Sequence, residues 1–160
     1  MKLVVIGTGY VGLISGLCFA EFGFETICVD KDKDRINELE KGVCPFFEPG
    51  VEDLLTKHYK KTKLISFTSS LDIAMKNADV IFITVGTPSR RIDDEADLSS
   101  VWDVANEIAE NIKNYCIIVS KSTVPVGTTK QIKKIIQKKI GPEKFDVVSN
   151  PEFLREGSAI

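Results

Sequence analysis

Gly7, Gly9 and Gly12 stand in the run Gly7-Thr8-Gly9-Tyr10-Val11-Gly12, which follows directly on the apolar residues Leu3-Val4-Val5-Ile6. A strand that feeds a G-x-G-x-x-G loop and then a helix is an arrangement that cradles a dinucleotide. Gly7 permits a tight turn, Gly9 lets the backbone approach a pyrophosphate, and Gly12 lets the helix lie close on the strand. The unpaired N–H groups and positive dipole end at the helix N-terminus then face the phosphates. A second strand over Glu25 to Val29 ends at Asp30, eighteen residues after Gly12. A carboxylate there accepts from ribose hydroxyls and repels a 2′-phosphate, so NAD is expected over NADP. Lys31 and Arg35 are the neighbouring cations that could soften this preference.

These residues need elements to hold them. Apolar strand-type runs at Leu3 to Ile6, Thr26 to Val29, Leu64 to Phe67, Val80 to Val85, Ile117 to Ser120 and Phe145 to Ser149 alternate with helical patterns. The helices are expected near Val11 to Phe22, Lys33 to Glu40, Val51 to His58, Leu71 to Lys76, Leu98 to Ile112 and Thr129 to Lys139. Ser69 or Ser70, Asp97 and Thr128 read as N-terminal caps. Strict alternation implies an α/β chain of the Rossmann type, with a doubly wound, mostly parallel six-stranded sheet in the order 3-2-1-4-5-6. Ligands in such a sheet lie at the carboxyl ends of the strands. Three further segments then reach the crevice: Gly86-Thr87-Pro88, Ser122-Thr123-Val124-Pro125 and Asn150-Pro151-Glu152-Phe153. Pro88 and Pro125 hold Thr87 and Thr123 extended, with hydroxyls expected to be available to a ligand. Alone, either Thr-Pro pair reads equally well as a plain strand end; two at neighbouring strand ends favour a site.

Composition narrows the rest. With 160 residues, 43% hydrophobic, the chain fits one domain with a sizeable core. A net charge of −2 with interspersed lysines and acids gives no case for nucleic acid or a membrane surface. No run approaches the roughly 18 apolar residues of a spanning helix. The apolar stretch from Met1 to Phe24 could suggest a secretory leader, but its glycines and the Leu17 before Cys18 argue against one. Cys18, Cys28, Cys44 and Cys116 lack C-x-x-C spacing and read as reduced hydrophobes of a cytoplasmic protein, with no metal site. His58, the single histidine, lies among lysines and reads as a surface residue. Lys130, Lys133, Lys134, Lys138 and Lys139 surround Ile132, Ile135, Ile136 and Ile140 as a solvated face around a buried stripe.

The closing segment Asn150-Pro151-Glu152-Phe153-Leu154-Arg155-Glu156-Gly157-Ser158-Ala159-Ile160 resembles the N-P-E-F-L-x-E-G-x-A-I motif of the UDP-glucose dehydrogenases, within the nucleotide-sugar dehydrogenases. The resemblance runs through the whole chain: the opening V-I-G-T-G-Y-V-G, the Pro45-Phe46-Phe47-Glu48-Pro49-Gly50 loop, Val85-Gly86-Thr87-Pro88, and Lys121 to Thr129. It implies oxidation of a sugar C6 alcohol, in UDP-glucose, to a carboxylate with two NAD, through an aldehyde and a cysteine thioester. It also implies that Tyr10, Val11, Asp30, Arg35, Thr87, Thr123 and Glu156 contact NAD, alongside the loop glycines Gly7, Gly9 and Gly12. Glu152, Phe153, Leu154, Arg155 and Glu156 would run along the nucleotide sugar. Glu152 would act as base for thioester hydrolysis, and Thr123 would help to hold the water. A carboxylate beside the nicotinamide suits that proton transfer.

The resemblance places the nucleophilic cysteine in a G-G-x-C-x-x-K-D segment of a second, nucleotide-sugar domain beyond a central helix. None of the four cysteines here matches it, so residues 1–160 are expected to form an NAD-binding domain that is inactive alone, from a homo-oligomeric, cytoplasmic parent enzyme. One departure stands out: Asp93-Asp94-Glu95-Ala96-Asp97-Leu98, with Ser100, replaces the family's Asp-Gly and aromatic in that loop. Two alternatives stay open, a GDP-mannose or other nucleotide-sugar dehydrogenase and a free-standing NAD-binding sensor or interaction module.

Overall fold

The computed structural model describes residues 1–89 and 96–160. The anticipated departure at Asp93, Asp94 and Glu95 therefore lies outside the described residues. Six strands form one sheet: β1 (Lys2–Ile6), β2 (Glu25–Val29), β3 (Ile65–Thr68), β4 (Val80–Ile83), β5 (Cys116–Ser120) and β6 (Phe145–Ser149). Their order is β3-β2-β1-β4-β5-β6, every pairing is parallel, and Val4 sits opposite Ile27 on one side and Ile81 on the other. The central strands read as continuous apolar runs because both faces are covered. Along β1, Val4 and Ile6 enter one core while Val5 enters the other, as the two-residue strand period requires.

The helices are α1 (Tyr10–Glu21), α2 (Lys33–Lys41), α3 (Val51–Leu55), α4 (Leu71–Met75), α5 (Ser99–Asn111) and α6 (Thr128–Gln137). Helices α1 and α3 cover one face with Leu13, Leu17, Val51 and Leu55; α5 and α6 cover the other with Val101, Ile108, Ile132 and Ile136. Helix α1 is apolar on most sides and lies deep in the molecule, and a side chain at Gly16 would strike the Cys28 sulfur. On α6 and just past its end the lysines are solvated as expected, with Lys133 3.6 Å from Asp146 and Lys139 2.6 Å from Glu110. No helix among the described residues is long and apolar enough to cross a membrane.

Several expected details differ. The helix anticipated over Val51 to His58 is α-helical only to Leu55 and continues as a π-helical stretch over Thr56–Thr62. His58 falls on the same side as the buried Val51 and Leu55 and turns inward. The histidine is 2% exposed, with Nε2 2.6 Å from the Glu21 carboxylate and Nδ1 3.0 Å from the Thr62 hydroxyl, so the surface reading is overturned. The Glu21 carboxylate is held below its ordinary range by the Lys57 ammonium and by His58. Thr128 is not a cap: Gly127 holds the cap position with φ 94°, and the Thr128 hydroxyl donates to the Pro125 carbonyl. Ser70 is at the cap of α4, but its hydroxyl turns to the Asp72 carboxylate. Asp97 lies one residue before the cap position of α5 and accepts from Ser99 N–H at 2.9 Å. Strand β4 ends at Ile83, two residues short of expectation, and just beyond it the Thr84 hydroxyl donates to the Ile6 and Gly7 carbonyls.

Candidate functional site

The glycine loop is built as its residue types demand. Gly7 has φ +102°, a conformation that disfavours any side chain, and its N–H bonds the last carbonyl of β2, Val29, at 2.7 Å. A Cβ at Gly12 would lie 1.9 Å from the Gly7 carbonyl oxygen and 2.5 Å from the Thr84 hydroxyl, so the first turn of α1 can close on the loop only without one. At Gly9, by contrast, a Cβ would meet nothing within 4 Å. Gly9 therefore faces open space where a ligand backbone can come close.

That space is a cavity of about 790 Å³ at the carboxyl ends of β1, β2 and β4. Gly7, Gly9, Asp30, Arg35 and Gly86 line it together, as the sequence led one to expect. The carboxylate of Asp30 is fastened in place. Its Oδ2 accepts from the N–H and the hydroxyl of Thr8, both at 2.8 Å, and from Arg35 at 3.4 Å. Its Oδ1 accepts from Asp32 N–H at 3.0 Å and keeps a lone pair for a further donor. Burial pushes the Asp30 carboxyl up, but the donors from Asp32, Thr8 and Arg35 outweigh it and hold the group below its ordinary value. An ionised acceptor thus stands ready at the rim. Gly9's open side and this acceptor fit a dinucleotide, pyrophosphate over the loop and ribose against Asp30.

Sequence reasoning missed three contributors. Thr8 is fully buried and holds Asp30. Thr84 pins the start of the glycine loop from β4. The far wall of the cavity carries Asp103, Glu107 and Glu110 of α5, spaced to share one helix face. Their spacing was readable, yet only the tertiary structure shows that they look into the crevice.

The other expected residues lie outside this cavity's lining. Thr87 and Thr123 do meet, but through each other: the Thr87 hydroxyl donates to the Thr123 carbonyl at 2.9 Å, so it is not a free donor as anticipated. The Thr123 side chain is exposed. Asn150 bonds the last residue of β5 and the Lys121 ammonium, bringing the closing segment to the same end of the sheet. From there Glu152 turns back and accepts Leu154 N–H at 2.7 Å, while Phe153, Arg155 and Glu156 are exposed. Leu154 packs on the core beneath α1. Glu48, also given no role from sequence, is buried and accepts from the Tyr10 hydroxyl and the N–H groups of Gly157 and Ala159.

The family model described as "UDP-glucose/GDP-mannose dehydrogenase family, NAD binding domain" matches residues 1–160. A UDP-glucose 6-dehydrogenase of Rhizobium meliloti is 51% identical over all of this chain, which covers 36% of that protein. UDP-glucose 6-dehydrogenase TuaD of Bacillus subtilis is also 51% identical, over 99% of this chain and 34% of its own length. Among solved structures, a ternary complex of GDP-mannose dehydrogenase from Pseudomonas aeruginosa superposes with a TM-score of 0.94 at 35% identity, over 100% of this chain and 38% of the other. A UDP-glucose dehydrogenase from Pyrobaculum islandicum gives 0.92 at 37% identity, over 99% and 37%. The chain spans about a third of the length of the curated relatives it matches. With the crevice, the fastened Asp30 and a match over its full length, the chain belongs to the UDP-glucose/GDP-mannose dehydrogenase family and is its NAD-binding domain.

Proposed function

We propose that this chain holds the cofactor of an NAD-dependent UDP-glucose 6-dehydrogenase, one that converts UDP-glucose to UDP-glucuronate. The observation that carries this reading is the ionised Asp30, locked by Thr8 beside the open face of Gly9 in one cavity. The two UDP-glucose 6-dehydrogenases at 51% identity support the choice of sugar. NAD, when bound, supplies the hydride acceptor. The chain's own residues bind and orient it: Gly7, Gly9, Tyr10, Val11 and Gly12 along the pyrophosphate, Asp30 and Arg35 at the adenosine end, Thr87, Thr123 and Glu156 towards the nicotinamide.

Along the closing segment, Glu152 to Glu156 would contact the nucleotide sugar. Glu152 uses Oε2 on Leu154 N–H, which leaves Oε1 to take a proton from water in thioester hydrolysis, with the exposed Thr123 hydroxyl to position that water. The thioester sulfur is assigned to the family's G-G-x-C segment, outside these residues. The cysteines here are poorly suited to that role: burial pushes the Cys28 thiol up to about 12 and the Cys116 thiol up to about 11, so neither supplies a thiolate. We assign the parent enzyme to the cytoplasm as a homo-oligomer.

Calorimetric titration of the chain with NAD, and NADH formation from UDP-glucose by the enzyme that contains it, test this reading. Turnover of GDP-mannose instead would select the second reading, which the TM-score of 0.94 to a GDP-mannose dehydrogenase favours. NAD binding without turnover of any nucleotide sugar in the longer protein would leave a sensor module.

A further inference from the structure

Glu48 sits in the Pro45 to Gly50 loop at the entrance to α3 and is 4% exposed. A carboxylate that leaves water must be repaid by donors, and each one found here comes from a distant part of the chain. Its Oε2 accepts the Tyr10 hydroxyl at 2.7 Å and Gly157 N–H at 2.7 Å; its Oε1 accepts Ala159 N–H at 2.9 Å. Tyr10 opens α1 directly behind Gly9. Gly157 and Ala159 belong to the closing segment. One carboxylate therefore ties the first turn of the cofactor loop to the main chain at the far end of the sequence.

The loop that presents Glu48 is held by contacts of its own. Gly50 takes φ +84° at the N-cap of α3, the Glu48 carbonyl accepts Val51 N–H at 3.2 Å, and the Phe46 ring lies 5.1 Å from that of Tyr10. Leu154 and Ala159 rest on the core under α1, on either side of the exposed Arg155 to Ser158 turn. The bonds to Glu48 thus set where that turn stands relative to Tyr10. We infer that Glu48 is a positioning residue that couples the dinucleotide loop to the sugar-contacting segment, so that a cofactor settling on Tyr10 orders Glu152 to Ala159 for the nucleotide sugar. This inference rests on the functional reading above for the role of that segment. Both side chains of the clamp keep the charge state it needs. The Ala159 N–H, the Tyr10 hydroxyl and the Gly157 N–H hold Glu48 below its ordinary value against its burial. Burial, the Glu48 acceptor and the negative charges of Glu48 and Glu156 push the Tyr10 phenol up to about 12, so it remains a donor.

Amide hydrogen exchange at Gly157 and Ala159, followed by NMR on the 160-residue chain, tests the coupling. Both amides should be protected, and saturation with NAD should slow their exchange further, at least threefold. An amide in place of the carboxylate offers one acceptor oxygen to three donors. Glu48→Gln should therefore speed exchange at both sites at least tenfold and erase the NAD effect, while Val4 and Val5 in β1 stay protected. Tyr10→Phe keeps the two main-chain bonds but cuts the link to the loop, so basal protection should survive and the NAD response should vanish at saturating NAD. Unchanged exchange in Glu48→Gln, or an NAD response that persists in Tyr10→Phe, overturns the inference. If Glu48→Gln does not fold, Tyr10→Phe decides alone. Failure of NAD to bind by calorimetry falls on the functional reading, because ligand-free wild type against Glu48→Gln still accepts or rejects the clamp.

Discussion

Gly9 and Gly12 stand three residues apart in one loop, and a methyl group added to each meets different surroundings. Gly9 has φ −67° and ψ −172°, an extended conformation open to any residue, with nothing within 4 Å of a Cβ. Gly9→Val should keep the thermal transition within a few degrees while abolishing NAD binding by calorimetry. Gly12→Ala drives a carbon into the Gly7 carbonyl, and overpacking of this kind costs about 1–3 kcal/mol, so its Tm should fall even without ligand. The reverse pattern would remove the pyrophosphate from its place over Gly9. At Asp30, a 2′-phosphate meets an ionised carboxylate, with Asp103 and Glu107 across the cavity adding the same sign. NADP should bind at least tenfold more weakly than NAD, and Asp30→Asn should narrow that gap; equal affinities in the wild type would release Asp30 from the ribose.

At the scale of elements, the face that α3 buries decides what His58 does, and the π-helical stretch over Thr56–Thr62 continues that face. The spacing from Val51 and Leu55 puts His58 on the side that α3 buries, against Glu21 of α1 and away from the solvated lysines. His58→Ala should lower Tm by about 4 °C or more, since it removes a buried ring and leaves hydrogen-bonding groups unmatched. Lys57→Ala should cost far less. That ion pair is 49% and 39% exposed at its two side chains, and exposed pairs contribute little. Comparable losses for both would show that the buried bond to His58 adds nothing beyond surface charge.

For the molecule as a whole, acid stability follows from carboxylates whose folded-state values are depressed. Asp30, Glu21 and Glu48 all titrate below their ordinary values, 3.8 for aspartate and 4.5 for glutamate. The unfolded chain therefore binds protons first as pH falls. Their stabilisation is complete above the unfolded values and is lost as pH drops through the folded ones. Tm should be flat above about pH 6 and fall steeply below about pH 4, less steeply in Asp30→Asn. Residues 1–160 alone should bind NAD and form no NADH from UDP-glucose, since the resemblance assigns both the groups that assist the first oxidation at C6 and the nucleophilic cysteine of the second to the family's other domain. Stoichiometric NADH that survives replacement of each of the four cysteines would put the oxidation chemistry in the wrong place.

Much of this was written in the order of residue types. Alternating apolar runs specified the six strands and their order because a parallel sheet buried on both faces tolerates little else, and Gly7, Gly9, Gly12 and Asp30 marked the crevice because backbone sterics and ribose chemistry restrict those positions. These are local demands, legible within some thirty residues. What the linear chain could not disclose are the contacts between distant residues whose types alone are ambiguous. Thr8 and Thr84 read as ordinary polar residues, His58 as solvated, and Glu48 as one acid among the 23 acidic residues of the chain. Each acquired its role from a partner between 22 and 111 residues away: Asp30, the Ile6 and Gly7 carbonyls, Glu21, and the main chain of Gly157 and Ala159. A buried polar group must be paired, but only the folded chain decides which partner arrives.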